Sequence, residues 1–143
     1  MSLLESTGRL IASKLKNQTK LIFRQLASIV TYEEVKDVPN KPEICLIDVR
    51  RREELKETGR IPASINIPLF FLVDELEDAL TLERSNFKLK YGRAKPQKDT
   101  KIIFSCRSGK RALEAEKIAK ALGYTNLSLY SGSWLDWANN EGL

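Results

Sequence analysis

The chain contains no histidine. That absence excludes the Ser-His-Asp and Cys-His pairings of nucleophilic catalysis, along with every histidine-ligated metal site. Only two cysteines occur, Cys45 and Cys106. They are too few for a disulfide framework and lack the paired spacing of a metal site, so no metal and no cofactor is expected. No apolar run approaches the ~20 residues that a membrane-spanning helix needs, so no integral membrane association is expected. Charge of one sign is also scarce in the body of the chain. Of 24 Lys/Arg and 19 Asp/Glu, residues 1–32 hold Arg9, Lys14, Lys16, Lys20 and Arg24 against one acid, Glu5. The remaining 19 Lys/Arg and 18 Asp/Glu leave residues 33–143 nearly neutral, which argues against nucleic acid as a partner.

What is present is the material of one soluble domain. The 143 residues are 42% hydrophobic and 30% charged, enough for an ordinary core without staples. In residues 1–27, Leu4, Ile11, Leu15, Ile22 and Leu26 recur at helical spacing, with a basic, Ser/Thr-containing opposite face. The segment reads as an N-terminal amphipathic extension or as a mitochondrial transit peptide. The expected location is accordingly mitochondrial or cytoplasmic.

Residues 28–143 alternate between strand and helix signals. "SIVTYEEVKDV" reads as a short strand followed by a helix capped by Thr31, with Glu34 at the capping-box position. "EICLIDV" and "TKIIFSC" are continuous apolar runs of the kind buried on both faces of a sheet. "RREELKETG" reads as a short helix ended by Gly59, and "IPASINIP" holds a strand between two prolines. "LFFLVDELEDAL" has helical periodicity, and a second short helix is expected in "TLERSNFKLKYGRAKP". "GKRALEAEKIAKALGY" is the clearest helix, with Leu113, Ile118, Ala119 and Leu122 assigned to one face and Gly123 as its stop. "NLSLYSG" and "SWLDWANN" supply the last strand and helix. The pattern predicts an α/β domain with a central parallel sheet of about five strands and helices on both faces. Right-handed crossovers then gather the strand C-termini along one edge, where ligands bind in such sheets.

Cys106 falls on that edge, after a buried strand and before the best helix. The turn "CRSGKR" surrounds it with Arg107, Lys110 and Arg111, and Gly109 permits a tight backbone. A helix N-terminus adds unpaired N–H groups and partial positive charge. All of these favour thiolate over thiol, so Cys106 is expected to be a nucleophile activated by electrostatics and not by a base. Cys45 has apolar neighbours and reads as core. A cationic pocket around sulfur suits a small anionic substrate. Phosphate-ester hydrolysis and sulfur transfer through a persulfide both fit. Cysteine phosphatases close C-x5-R around a phosphoryl group, whereas Ala112 stands at that position here. The arginine comes one residue early, making a smaller ring that suits a sulfur atom better.

Asp48 and Arg50 end a second buried strand on the same edge. Asp48 is expected to cap or brace the next helix, and Arg50 to be a surface charge or to pair with a neighbouring acid. Their alternative is a supporting role in orienting the Cys106 loop. Trp134 and Trp137 read as packing residues, and the basic stretch "RSNFKLKYGRAKPQK" as a solvated loop.

Four segments in order resemble the single-domain rhodaneses, the thiosulfate sulfurtransferases. They are "DVRRREEL", "GRIPASINIP", "CRSGKR" and "LYSGSWLDW", spread over roughly residues 28–143. Overall the chain is similar to the small eukaryotic heat-shock 67B-like rhodaneses. It departs from the family pattern in having Arg60 for a usual His, Ser133 for one of two glycines, and Arg51-Arg52 where Glu-Pro is common. The resemblance implies a three-layer rhodanese-like fold. It implies that Cys106 takes the outer sulfur of thiosulfate, releases sulfite and holds a persulfide, which cyanide, glutathione or thioredoxin then discharges. Arg107 and Arg111 would attract the dianion, Lys110 would add to the field, and Ser108 and Gly109 would contribute mainly backbone N–H groups. A non-catalytic rhodanese-type module that binds a partner or serves in stress responses is the competing class.

Overall fold

The two uninterrupted apolar runs become adjacent central strands. In the computed structural model, which describes residues 3–25, 27–70 and 73–143, β2 (Cys45–Asp48) and β6 (Ile102–Ser105) are buried at every residue. They pair in parallel from Cys45 opposite Ile102 to Asp48 opposite Ser105. β1 (Ser28–Ile29), β7 (Leu127–Leu129) and β3 (Ile65–Asn66) complete a five-stranded parallel sheet in the order β1-β7-β6-β2-β3. From β2 the chain passes outward to β3, and from β6 it passes to β7 on the other side. The strand order therefore reverses between β2 and β6, and the crevice beyond their C-terminal ends is the switch point where such sheets bind ligands.

Helices cover both faces. α4 (Glu75–Thr81), α5 (Arg84–Tyr91) and α6 (Lys110–Ala121) pack on one face through Leu76, Leu80, Phe87, Ala112, Ala115 and Ala119, against Cys45, Ile47, Ile102 and Phe104. α2 (Tyr32–Lys36) and α7 (Ser133–Glu141) cover the other with Val35, Trp134 and Trp137, against Leu46 and Ile103. α3 (Arg52–Thr58) links β2 to β3. Thr31 and Glu34 form the expected capping box at α2, and α3 ends at Gly59. The result is the expected three-layer α/β architecture.

Two local expectations are corrected. "LFFLVDELEDAL" is not one helix. It opens with β4 (Leu69–Phe70) and β5 (Val73–Asp74), an antiparallel hairpin, and only then enters α4, whose N-terminus Asp74 caps. Short apolar runs fit strand and helix alike; Phe71 and Leu72 of this stretch lie outside the described residues. In α6, Ala119, Ile118 and Leu122 pack on the core as expected, joined by Ala112 and Ala115, but Leu113 is 44% exposed. Small residues let the helix approach the sheet closely, so the larger leucine is rotated outward.

The N-terminal segment forms α1 (Leu3–Gln25). Ile11 and Leu15 on its apolar face are more than half exposed, and Leu26 lies outside the described residues. Among the described residues no helix is long and apolar enough to cross a membrane.

Candidate active site

Cys106 is the first residue beyond β6, and its side chain is 1% exposed. The chain turns at once into α6, with Gly109 as N-cap at φ +105. That left-handed backbone turns the Gly109 N–H onto Cys106 Sγ at 3.0 Å. Glycine is required here twice over. A side chain would be strained at this φ, and a Cβ would lie 2.6 Å from the Ser131 carbonyl oxygen. The first turn of α6 adds N–H groups without intrahelical acceptors and the positive end of a three-turn dipole.

The loop is held from its far side by the start of α7. The Trp134 N–H donates to the Cys106 carbonyl at 2.9 Å, and the Leu135 N–H donates to the Arg107 carbonyl at 3.2 Å. The Cys106 N–H donates to Ser133 Oγ at 3.0 Å. Two helix N-termini thus converge on the loop, one facing the sulfur and one gripping the backbone.

The cations divide into two kinds. Arg107 and Lys110, like Ser108, are exposed, and neither cation makes an ion pair or hydrogen bond among the described residues. Arg111 is half-buried and grips Glu54 of α3 with both terminal nitrogens, at 2.6 and 2.9 Å. Glu54 Oε2 also accepts the Arg51 N–H at 2.8 Å, so one carboxylate caps its own helix and holds the loop arginine. The Arg111 hydrogen bonds, more than any other influence, bring the Glu54 carboxyl down to about 2. Glu54 in turn raises Arg111, with smaller contributions from negative charge at Cys106 and Asp48. This pair spans the crevice between the β2 and β6 ends. Sequence reasoning missed Glu54 as a site residue. The only signal was its place in "DVRRREEL".

Asp48 and Arg50 form a second pair, buried to 1% exposure on each side. Arg50 Nε and Nη2 donate to the Asp48 carboxylate, and the Arg50 N–H donates to Asp48 Oδ1 at 2.9 Å. Two expectations change. The N-cap of α3 is Arg51 and not Asp48. Arg50 is no surface charge; its guanidinium donates to Thr58 Oγ1 and to the Gly59 carbonyl oxygen at the end of α3 and lies 4.6 Å from the Trp134 ring centre. The bracing therefore acts on the C-terminal end of α3, and it ties α3 to the helix that grips the Cys106 loop. The expected pairing of Arg50 with a neighbouring acid is present. Trp134 and Trp137 are 7% and 5% exposed, as packing residues should be.

Other features lie apart from this centre. Cys45 is fully buried, and burial pushes its thiol up to about 11. Both cysteines are free. A groove of about 480 Å³ lies between α3, α5 and the β3 edge, lined by Arg52, Lys56, Arg60 and Lys90 among others; none of the Cys106 loop residues lines it. Arg52, Lys90 and Tyr91 converge there on Glu75. The basic stretch around it is partly structural: Lys95 and Lys98 donate to the Leu82 and Leu122 carbonyls at the ends of α4 and α6. Among the described residues no group of three or more His, Cys, Asp or Glu is placed to hold a metal ion.

The sequence matches the family model described as the rhodanese-like domain over residues 31–140. It is 64% identical over 115 residues to the rhodanese domain-containing protein CG4456 of Drosophila melanogaster, spanning 80% of this chain and 100% of that one. It is 42% identical over 97 residues to the thiosulfate:glutathione sulfurtransferase of Homo sapiens, spanning 67% and 80% of the two chains. Among solved structures, the human single-domain sulfurtransferase TSTD1 superposes with a TM-score of 0.69 at 36% identity, covering 80% of this chain and 97% of that one. Relatives named as mitochondrial sulfurtransferases match as well.

Proposed function

The chain belongs to the rhodanese-like domain family, and from that premise we propose that it is a sulfurtransferase that carries the sulfane sulfur of thiosulfate on Cys106 to a thiol acceptor. The observation that carries this reading is the Gly109 N–H aimed at Cys106 Sγ at the start of α6.

Cys106 Sγ attacks the outer sulfur of thiosulfate. A new S–S bond forms, the S–S bond of thiosulfate breaks, and sulfite leaves with the electron pair. The resulting persulfide is anionic, and the N–H groups of residues 107–111 supply preorganised donors to it. Arg107 and Lys110, exposed and without an ion pair among the described residues, draw in the dianion. Arg111 acts from a fixed position, because Glu54 holds both of its terminal nitrogens. In the second half-reaction the acceptor thiolate attacks the terminal sulfur, and the electron pair of the breaking bond returns to Cys106 Sγ. Glutathione is the acceptor named for the human relative, and we assign the same class of small thiol here; cyanide and thioredoxin are acceptors of the same reaction type. Asp48 and Arg50 support the site by fixing α3 and Trp134 and do not contact the substrate.

Two competing readings fare worse. A phosphatase needs an arginine free to close around a phosphoryl group, whereas Arg111 is engaged by Glu54 and arrives one residue early. A non-catalytic module has no use for a sulfur that faces an N–H donor at a helix start beside exposed cations. We further propose that residues 1–27 are an extension separable from the domain at 28–143 and serve as a mitochondrial presequence. A fluorescent reporter fused to residues 1–30 should localise to mitochondria, and a diffuse signal would refute that assignment.

The test of the enzyme is steady-state kinetics with thiosulfate against glutathione and, separately, cyanide. Two half-reactions sharing one carrier give parallel double-reciprocal lines. Intersecting lines, or activity that survives Cys106→Ser, would refute the carrier mechanism.

A further inference from the structure

The turn from β7 into α7 places a serine in a backbone conformation that favours glycine. Ser133 has φ +55, a region disfavoured for any residue with a Cβ. Its side chain is nevertheless completely buried and fully engaged. Ser133 Oγ accepts the Cys106 N–H at 3.0 Å, donates to the Tyr130 carbonyl at 2.8 Å, and lies 3.8 Å from Cys106 Sγ in donor geometry.

A hydroxyl has one proton, so it serves Tyr130 or the sulfur, but not both. The Tyr130 carbonyl has a second donor, the Ser133 N–H at 3.1 Å. The hydroxyl can therefore turn from that carbonyl to the sulfur without leaving a buried acceptor unpaired. Its oxygen still accepts the Cys106 N–H while it turns. The Gly109 N–H, by contrast, is fixed on Sγ by the backbone.

We infer that Ser133 is a positioning residue for the reacting sulfur, one whose hydroxyl turns from the Tyr130 carbonyl onto Cys106 Sγ when negative charge collects there. This rests on the sulfurtransferase reading above. No covalent bond to the proton changes; only its acceptor does. Charge returns to Sγ when the acceptor thiolate takes the terminal sulfur, because the Sγ–S bond breaks and Sγ keeps the electron pair. A donor arriving at that moment assists the departure of Cys106. In the first half-reaction the same sulfur begins charged and loses charge as it attacks, so the donor gives no such help. The assistance Ser133 gives is thus confined to the acceptor half of the cycle; during loading the same hydrogen bond stabilises only the starting thiolate.

The test compares wild type with Ser133→Gly and Ser133→Ala. Glycine suits the backbone at φ +55 and removes the hydroxyl; alanine removes the hydroxyl and keeps the strain. Loading is followed as sulfite released from thiosulfate in a single turnover. Discharge is followed by adding glutathione to the loaded protein, and thermal melting is recorded alongside. The expected result is that Ser133→Gly melts close to wild type, because relief of the strained φ offsets the Cys106 N–H left without its acceptor, loads at the wild-type rate or faster, and discharges about ten-fold more slowly. Ser133→Ala melts lower and shows the same split, so the answer survives if either variant folds poorly. Equal slowing of both half-reactions would mark a merely structural role and overturn the inference, as would discharge at the wild-type rate. Failure of wild type to load at all would instead overturn the sulfurtransferase reading and this inference with it.

Discussion

One buried cysteine opens the central strand β2 and the other follows the central strand β6, and both strands run into a charged turn. β2 begins with Cys45 and ends in Asp48 and Arg50, which are locked to each other at 1% exposure. β6 ends before Cys106, and beyond it Arg107 and Lys110 face solvent. Burial is nearly the same for the two sulfurs, 0% and 1%. Burial alone therefore does not tell them apart. Cys45 sits within the sheet among apolar side chains, and burial pushes its thiol up to about 11. Cys106 sits one residue past the strand, where a helix begins and the Gly109 N–H meets its sulfur. The charges at the end of β2 are used on each other and stabilise the fold. Arg107 and Lys110 at the end of β6 make no ion pair among the described residues.

The contrast is broken most sharply by exchanging the roles of the two cysteines. Cys106→Ser is expected to lower sulfur transfer from thiosulfate by about a thousand-fold or more, as loss of a covalent nucleophile does. Cys45→Ala is expected to leave turnover within about two-fold while costing about 1–2 kcal/mol of stability through its cavity. Turnover assays with denaturant unfolding of both variants check this. Comparable activity loss in both would erase the distinction.

Next in size is Arg50→Ala, which strands the Asp48 carboxylate in the interior. Breaking a buried pair by removing one partner costs about 3–5 kcal/mol. Urea unfolding should show that loss, and a stable variant with slowed chemistry would instead put Arg50 in the reaction. Gly109→Ala should cost about 1–3 kcal/mol from strain at positive φ, with further loss from the contact at the Ser131 carbonyl. Its activity should fall more than its stability, because the loop cannot keep the N–H on Sγ. Preserved activity would show that this donor is dispensable.

The smallest expected effect lies at the pair that bridges the two strand ends. Glu54→Gln weakens the grip on Arg111 and should cost about 1–2 kcal/mol at neutral pH. Glu54 is held at about 2 against an ordinary 4.5, chiefly by Arg111. A carboxyl depressed in the folded state contributes its stability above the unfolded value and loses it as pH falls through the folded one. Wild type should therefore lose this increment between about pH 4.5 and pH 2, and Glu54→Gln should lack that part of the acid dependence. Identical acid profiles for the two proteins would remove Glu54 as a clamp.

The sequence made the local features legible and hid the non-local ones. "EICLIDV" and "TKIIFSC" read as strands buried on both faces, and "CRSGKR" carries its cysteine, glycine and cations within six positions. Glu54 meets Arg111 across 57 positions and Ser133 meets Cys106 across 27, contacts set by the strand order, which no local pattern encodes. Leu113 is exposed because the alanines Ala112, Ala115 and Ala119 pack on the core, a face that the spacing of large apolar residues does not reveal. Arg50 defeated a rule of thumb about arginine: its partners Thr58, Gly59 and Trp134 come together only once α3 and α7 are docked.

The central claim is that the loop after β6, and not burial, makes one of two cysteines a sulfur carrier. Treat the intact protein with thiosulfate, remove the excess, and map added sulfur by mass spectrometry of its peptides. The account predicts one extra sulfur on the peptide containing Cys106 and none on the peptide containing Cys45. Added sulfur on Cys45, or on neither residue, would contradict it.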